Sequence, residues 1–128
     1  MEEEKALEEN PVELFGMYVA HVGINAQGDE DAARIANRFA QLMGLPVSET
    51  PPSLFNGTLV ETMKNNGRGA KGHIGFHVND IVAAEKWFAA RGFELNEESR
   101  NIRPDGTTRL IYFTEEIGGF AIHLTTDE

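Results

Sequence analysis

One pattern, met twice, constrains this chain more than anything else in it. His21-Val22-Gly23-Ile24-Asn25 and His73-Ile74-Gly75-Phe76-His77 both read histidine, aliphatic, glycine, apolar, polar. Each is followed by an acidic cap (Asp29, Asp80), a helical stretch, and a glycine that stops it, Gly44 in the first copy and Gly92 in the second. The closing segments match too, with Leu59-Val60-Glu61-Thr62 lying over Ala121-Ile122-His123-Leu124. Self-similarity at this spacing predicts one supersecondary unit used twice, each copy a strand, a helix and three more strands.

The first copy is expected over residues 17–66 and the second over 67–126, after an N-terminal lead-in at 1–16. The lead-in is acidic, with Glu2, Glu3, Glu4, Glu8 and Glu9 near its start. Pro11 interrupts any helix there, and Val12, Leu14 and Phe15 offer anchors to the body. In the first strand Tyr18, Ala20, Val22 and Ile24 alternate with Val19, His21, Gly23 and Asn25. A helix follows to about Met43, and short strands then fall near 46–50, 53–55 and 58–63, with Asn56-Gly57 marking a hairpin. Residues 65–70 read as a flexible connector. In the second copy the helix runs from Asp80 to about Arg91, and strands are expected near 93–102, 107–114 and 120–124. The fold class is therefore α+β, with two paired βαβββ modules.

Composition narrows the partners. Twenty-one acidic against eleven basic side chains leave a formal charge of −10, which argues against nucleic acid and against anionic membrane surfaces. There is no cysteine, so neither disulfides nor thiolate metal sites arise, in keeping with a reducing compartment. No apolar run is long enough to span a membrane, and the acidic start does not read as a secretion signal. A cytoplasmic location is expected.

A helix on one face of a four-stranded sheet leaves the other face open, so two such sheets related by a pseudo-twofold axis curl into a half-barrel bowl. Strand parity aims His21, Glu61, His73 and His123 into that bowl. Three imidazoles and a carboxylate suit a divalent metal ion such as Zn, Ni, Co, Mn or Fe, with positions left for Lewis-acid chemistry. The competing reading is four hydrogen-bonded strand residues without a metal. His77 shares the His73 face, as a substrate contact or as a packed histidine. Arg68, Lys71 and Arg109 are candidates for binding a substrate carboxylate or phosphate at the mouth, or are simply loop cations.

These motifs resemble the vicinal-oxygen-chelate superfamily, which includes glyoxalase I, extradiol dioxygenases and bleomycin-resistance proteins. The resemblance covers about residues 17–126. It implies a divalent metal in a shared bowl, with His21 and His73 matching first-strand ligands and Glu61 the fourth-strand ligand of the first module. Where glyoxalase I has a second glutamate, this chain has His123, which leaves Glu61 as the lone candidate base. Residues 111–113 and 116–124 are also similar to a glyoxalase-like module found with keto-acid and sugar-acid aldolases. The resemblance implies a metal-dependent lyase or isomerase chelating vicinal oxygens of a small keto-, hydroxy- or sugar-acid. Two alternatives are a non-catalytic acid-binding module working beside such an aldolase and a metal-free sequestering protein. A homodimer is expected by the same analogy.

Overall fold

The computed structural model describes residues 9–65 and 67–127. The acidic run through Glu8 and the module boundary at Asn66 lie outside the described residues. The elements are α1 (Pro11–Phe15), β1 (Tyr18–Asn25), α2 (Asp29–Met43), β2 (Val47–Glu49), β3 (Ser53–Asn56), β4 (Val60–Met63), β5 (Gly72–His77), α3 (Ile81–Ala89), β6 (Leu95–Ile102), β7 (Thr108–Ile117) and β8 (Phe120–Thr125). The eight strands form one sheet in the order β2-β3-β4-β1-β5-β8-β7-β6. Its centre is the antiparallel pair β1–β5, the opening strands of the two modules. Each opening strand then pairs in parallel with the closing strand of its own module, β1 with β4 and β5 with β8. The paired βαβββ half-barrel is thus built within a single chain.

The two helices start and stop by different devices. Asp80 caps α3 by accepting from the backbone N–H of Ala83 at 3.0 Å. In α2 the cap position is Gly28 rather than Asp29, and Asp31 instead accepts from the Gln27 N–H at 2.9 Å. Under α3, Phe88, Ile81, Ile111, Phe113, Ile122 and Leu124 form a core, with Ile74 and Phe76 of β5 packed against it. Under α2 the core is smaller: Ala26, Ala32, Ala36 and Leu54.

Two expectations need correcting. Pro11 does not interrupt a helix but opens one, at the position where its missing N–H costs nothing. Asn10 caps that helix, and Phe15 at its end is buried edge-on against Trp87 at 6.1 Å, while Val12 and Leu14 stay exposed. The second correction is in β1. Its register with β5 shifts between Val19 and His21, so Ala20 is a bulged residue. One extra residue reverses the phase of the strand. Tyr18 therefore pairs with His77 and stacks on its ring at 4.7 Å, instead of sharing a face with Val22 and Ile24.

Candidate metal centre

The register across β1 and β5 sets up the site. His21 lies opposite Gly75, and Gly23 lies opposite His73. The parallel pairs repeat the arrangement, with Gly23 beside Glu61 and Gly75 beside His123. Each glycine leaves the space into which imidazoles lean. A Cβ at Gly23 would lie 1.9 Å from Cε1 of His73, and one at Gly75 would lie 2.6 Å from Cε1 of His21 and 2.5 Å from Cε1 of His123. Neither glycine is there for backbone freedom; both are there for room.

Of the four sequence-predicted ligands, His21, His73 and His123 bring their ligand nitrogens within 4.8 Å of one another, and Glu61 approaches two of them. Nε2 of His73 lies 3.1 Å from Nε2 of His21 and 3.1 Å from Oε1 of Glu61. Nε2 of His123 lies 3.4 Å from Nε2 of His21, and Oε1 of Glu61 is 4.0 Å from Nε2 of His21. Ligand atoms each about 2.1 Å from a shared ion sit roughly 3.0–3.4 Å apart, depending on whether their bonds meet at octahedral or tetrahedral angles. The spacings of His73 and His123 from His21 fall in that range. The donor set, all imidazole and carboxylate, fits a borderline divalent metal, and no thiolate is needed.

Electrostatics favour the neutral form of His21 and His123 and the ionised form of Glu61. Burial, reinforced by the neighbouring imidazoles His21 and His73, pushes His123 down to about 3. Burial and His73 also lower His21. Burial alone would raise Glu61, but hydrogen bonds from His73 and Ser53 outweigh it and hold the carboxyl below its ordinary value. Neutral imidazoles beside a carboxylate are the states a metal needs. Nδ1 of His73 is buried without a hydrogen-bond partner among the described residues, so the ring is held by packing over Gly23 and by its Nε2 contact with Glu61.

Around the ligands is a cavity of about 920 Å³, large enough for a small metabolite. Arg68 and Arg109 both line it, but in different states. Arg109 is tied up, its Nη2 2.7 Å from Oδ2 of Asp127. Arg68 has no carboxylate partner among the described residues, and its guanidinium sits over the Tyr112 ring at 4.7 Å. Lys71 lies outside the cavity lining, its stem against Gly119.

The structure does not bring His77 into the cavity. Its Nδ1 is 2.9 Å from the Asp127 carbonyl oxygen and its Nε2 2.8 Å from Oδ1 of Asn79. Tyr18, turned to that face by the bulge, covers the ring. The substrate-contact expectation for His77 is corrected accordingly: it is a buried histidine whose ring nitrogens are both engaged by protein groups.

Two neighbours of the ligands escaped the sequence reading. Ser53 is fully buried and donates its hydroxyl to Oε2 of Glu61 at 2.7 Å. Tyr112 lies directly across β7–β8 from His123, with ring centroids 4.8 Å apart. Burial raises its phenol to about 12, so it stays protonated. The signal for Tyr112 was present in the repeat, because Phe55 stands across from Glu61 at the corresponding point of the first module. Ser53 had no such signal, since its role depends on a diagonal contact between β3 and β4.

No protein-family model and no curated protein matches the chain. Solved structures do. A hypothetical protein from Bacillus halodurans C-125 superposes with a TM-score of 0.58 at 13% identity, over 88% of this chain and 95% of that one. Methylmalonyl-CoA epimerase from Mycobacterium tuberculosis gives 0.55 at 17% identity, over 84% and 85%. A single-residue variant of the Streptomyces coelicolor methylmalonyl-CoA epimerase, in complex with 2-nitronate-propionyl-CoA, gives 0.55 at 12% identity, over 83% and 94%. At these identities the likeness concerns the fold, and it bears out the α+β glyoxalase-like half-barrel.

Proposed function

We propose that this chain is a metal-dependent enzyme of the glyoxalase-like fold, moving a proton on a small keto- or hydroxy-acid whose neighbouring oxygens chelate the ion. The observation that carries the reading is the meeting of three Nε2 atoms and Oε1 of Glu61, one pair of ligands from each module. His21, Glu61, His73 and His123 would hold the metal. A divalent ion there would polarise the substrate oxygens and stabilise an enediolate-like charge. The cavity wall supplies the rest: Arg68 receives an anion and Tyr112 offers a neutral hydroxyl. The chain's fold is shared with epimerases, which is compatible with isomerase-type chemistry.

One observation favours a second reading, in which the bowl binds an acid without turning it over. Both oxygens of Glu61 are engaged, Oε1 at His73 and Oε2 at Ser53. Those hydrogen bonds hold the carboxyl below its ordinary value and so make Glu61 a weaker base. Asp127, the other carboxylate in the lining, is held by Arg109 and Arg103. A working association with a keto-acid aldolase belongs to this second reading and rests on the likeness of residues 111–124. Pairing of two chains belongs to either reading, and light scattering measures it.

Metal analysis of protein purified without chelator is expected to give close to one equivalent, falling to background in His73→Ala. Proton NMR of the loaded protein with 2-oxo and 2-hydroxy acids in D2O then separates the readings. Exchange of the carbon-bound proton beside the carbonyl identifies a catalyst, whereas saturable binding without exchange identifies a receptor. Absence of metal from the wild-type protein overturns the enzyme reading.

A further inference from the structure

We propose that the bowl selects acids carrying a second anionic group, distal to their chelating oxygens, and that Arg68 is the residue that reads it. This deepens the metal-chelate reading and rests on it.

The connector that carries Arg68 is built rather than slack. Asn25, on β1, donates its side-chain N–H to the Gly69 carbonyl at 2.8 Å and reaches the Gly67 and Arg68 carbonyls at 3.4 Å. Gly67 packs so closely that a Cβ there would lie 2.0 Å from Oδ1 of Asn25. Gly69 takes a φ of +83°, and a Cβ there would lie 2.0 Å from the Gly72 carbonyl oxygen. Two glycines that admit no side chain and one clamped amide thus fix the loop that presents Arg68 over Tyr112.

Position and charge then specify the ligand. The Tyr112 ring is 4.8 Å from the His123 ring on one side and 4.7 Å from the Arg68 guanidinium on the other. Arg68 is therefore one aromatic ring removed from the ligand set, too far to share a chelated carboxylate and near enough for the other end of a short chain. Stacking covers one face of the guanidinium and leaves its N–H edges for an incoming anion. In a chain of formal charge −10, this lining arginine is without a carboxylate partner among the described residues, whereas Arg109 is already paired. The distal group is a carboxylate or a phosphate monoester, since both accept from the same fork of donors.

Isothermal titration of the Mn2+-loaded protein tests this with two matched pairs. These are 2-oxoglutarate against 2-oxovalerate, and 3-phosphoglycerate against glycerate. The doubly anionic member of at least one pair is expected to bind about tenfold more tightly or better, the size of one charge-assisted contact. Which pair shows it tells carboxylate from phosphate. Arg68→Gln keeps an exposed polar stem and is expected to abolish the preference, bringing the doubly anionic member down to the affinity of its singly charged partner. Arg68→Lys should keep part of it. Equal binding within both pairs, or a preference that survives Arg68→Gln, overturns the distal-anion subsite alone. If none of the four acids binds although Mn2+ does, the chelate reading fails with it.

Discussion

The two modules share a plan and differ in what fills it. Module two packs α3 onto the sheet through aromatic rings. Phe88 touches Phe93 and Phe113 at centroid distances of 5.5 and 5.3 Å, and Trp87 meets Phe15 from the lead-in helix. Module one packs α2 through Ala32 and Ala36, both fully buried, with Leu54 beneath them. Large rings exclude more apolar surface from water than methyl groups do, so the second half carries more of the folding free energy. The four proposed ligands, by contrast, come evenly from the two halves, on the seam between a thickly packed unit and a thinly packed one, where a bound ion would staple the thinner half to the thicker.

The comparison breaks most directly in the cores. Phe88→Ala is expected to cost about 3–5 kcal/mol, a large share of the stability of a domain this size, whereas Leu54→Ala should cost about 2 kcal/mol. Urea denaturation of the metal-free proteins measures both. Equal losses would mean that the halves contribute alike, whatever their ring content.

Next comes the floor that both halves share. Gly23→Ala and Gly75→Ala each drive a methyl group into imidazoles of the site. The methyl at 23 meets His73 and the one at 75 meets both His21 and His123, and each should lower metal affinity by roughly 100-fold, the upper end for disturbing ligand orientation. A competition titration with a chromophoric chelator reads it. A large loss in Gly75→Ala with none in Gly23→Ala would remove His73 from the ligand set, and the reverse would remove His21 and His123.

How much of this was legible beforehand follows from where each signal resides. The repeat pointed to the βαβββ order, to the four side chains proposed as ligands and to the glycines between them, because strand parity and self-similarity are local properties of the chain. The bulge at Ala20 was not legible: nothing in Tyr18-Val19-Ala20-His21 marks an extra residue, and its effect depends on pairing with β5. His77 was misplaced for the same reason, since parity puts it on the bowl side but the bulge brings Tyr18 over it. Pro11 was read as an interruption because its meaning depends on whether a cap precedes it, and Asn10 supplies one. The connector at 65–70 looked flexible by composition, yet the glycines at 67 and 69 are there to pack closely against Asn25 and Gly72.

Acid separates the equivalent positions Glu61 and His123. His123 has an ordinary value near 6.5 and is held at about 3 in the folded protein. Below pH 6.5 the unfolded chain therefore takes up a proton that the folded one refuses, so stability falls as the pH falls through the window from 6.5 toward 3. The loss should reach about 2 kcal/mol by pH 5 for this residue, with His21 adding in the same direction. Glu61 is also lowered, but from an ordinary value near 4.5, so its contribution is lost only at more acid pH. Chemical denaturation in EDTA across about pH 4–8 should show the upper slope reduced in His123→Gln and retained in Glu61→Gln. An unchanged slope in His123→Gln would place the titration elsewhere.

The smallest effects sharpen the comparison most, because they concern the residues that flank those two positions. Ser53 donates to Glu61 and is fully buried, so Ser53→Ala leaves a carboxylate oxygen without its donor and frees the side chain to turn. Metal affinity is expected to fall about tenfold. Tyr112 does something different for His123. It packs against the ring at a tilt of 57°, with centroids 4.8 Å apart, and its hydroxyl makes no hydrogen bond with the described residues. Tyr112→Phe reproduces the ring that Phe55 already places across from Glu61, so the two modules become more alike at this level. Stability should shift by no more than about 0.5 kcal/mol and metal affinity should stay within about twofold. With folding and metal binding both unmoved, any fall in proton exchange on a bound acid then reports the hydroxyl's contact with the substrate, and an unchanged rate would show that module two contributes only a wall at that point.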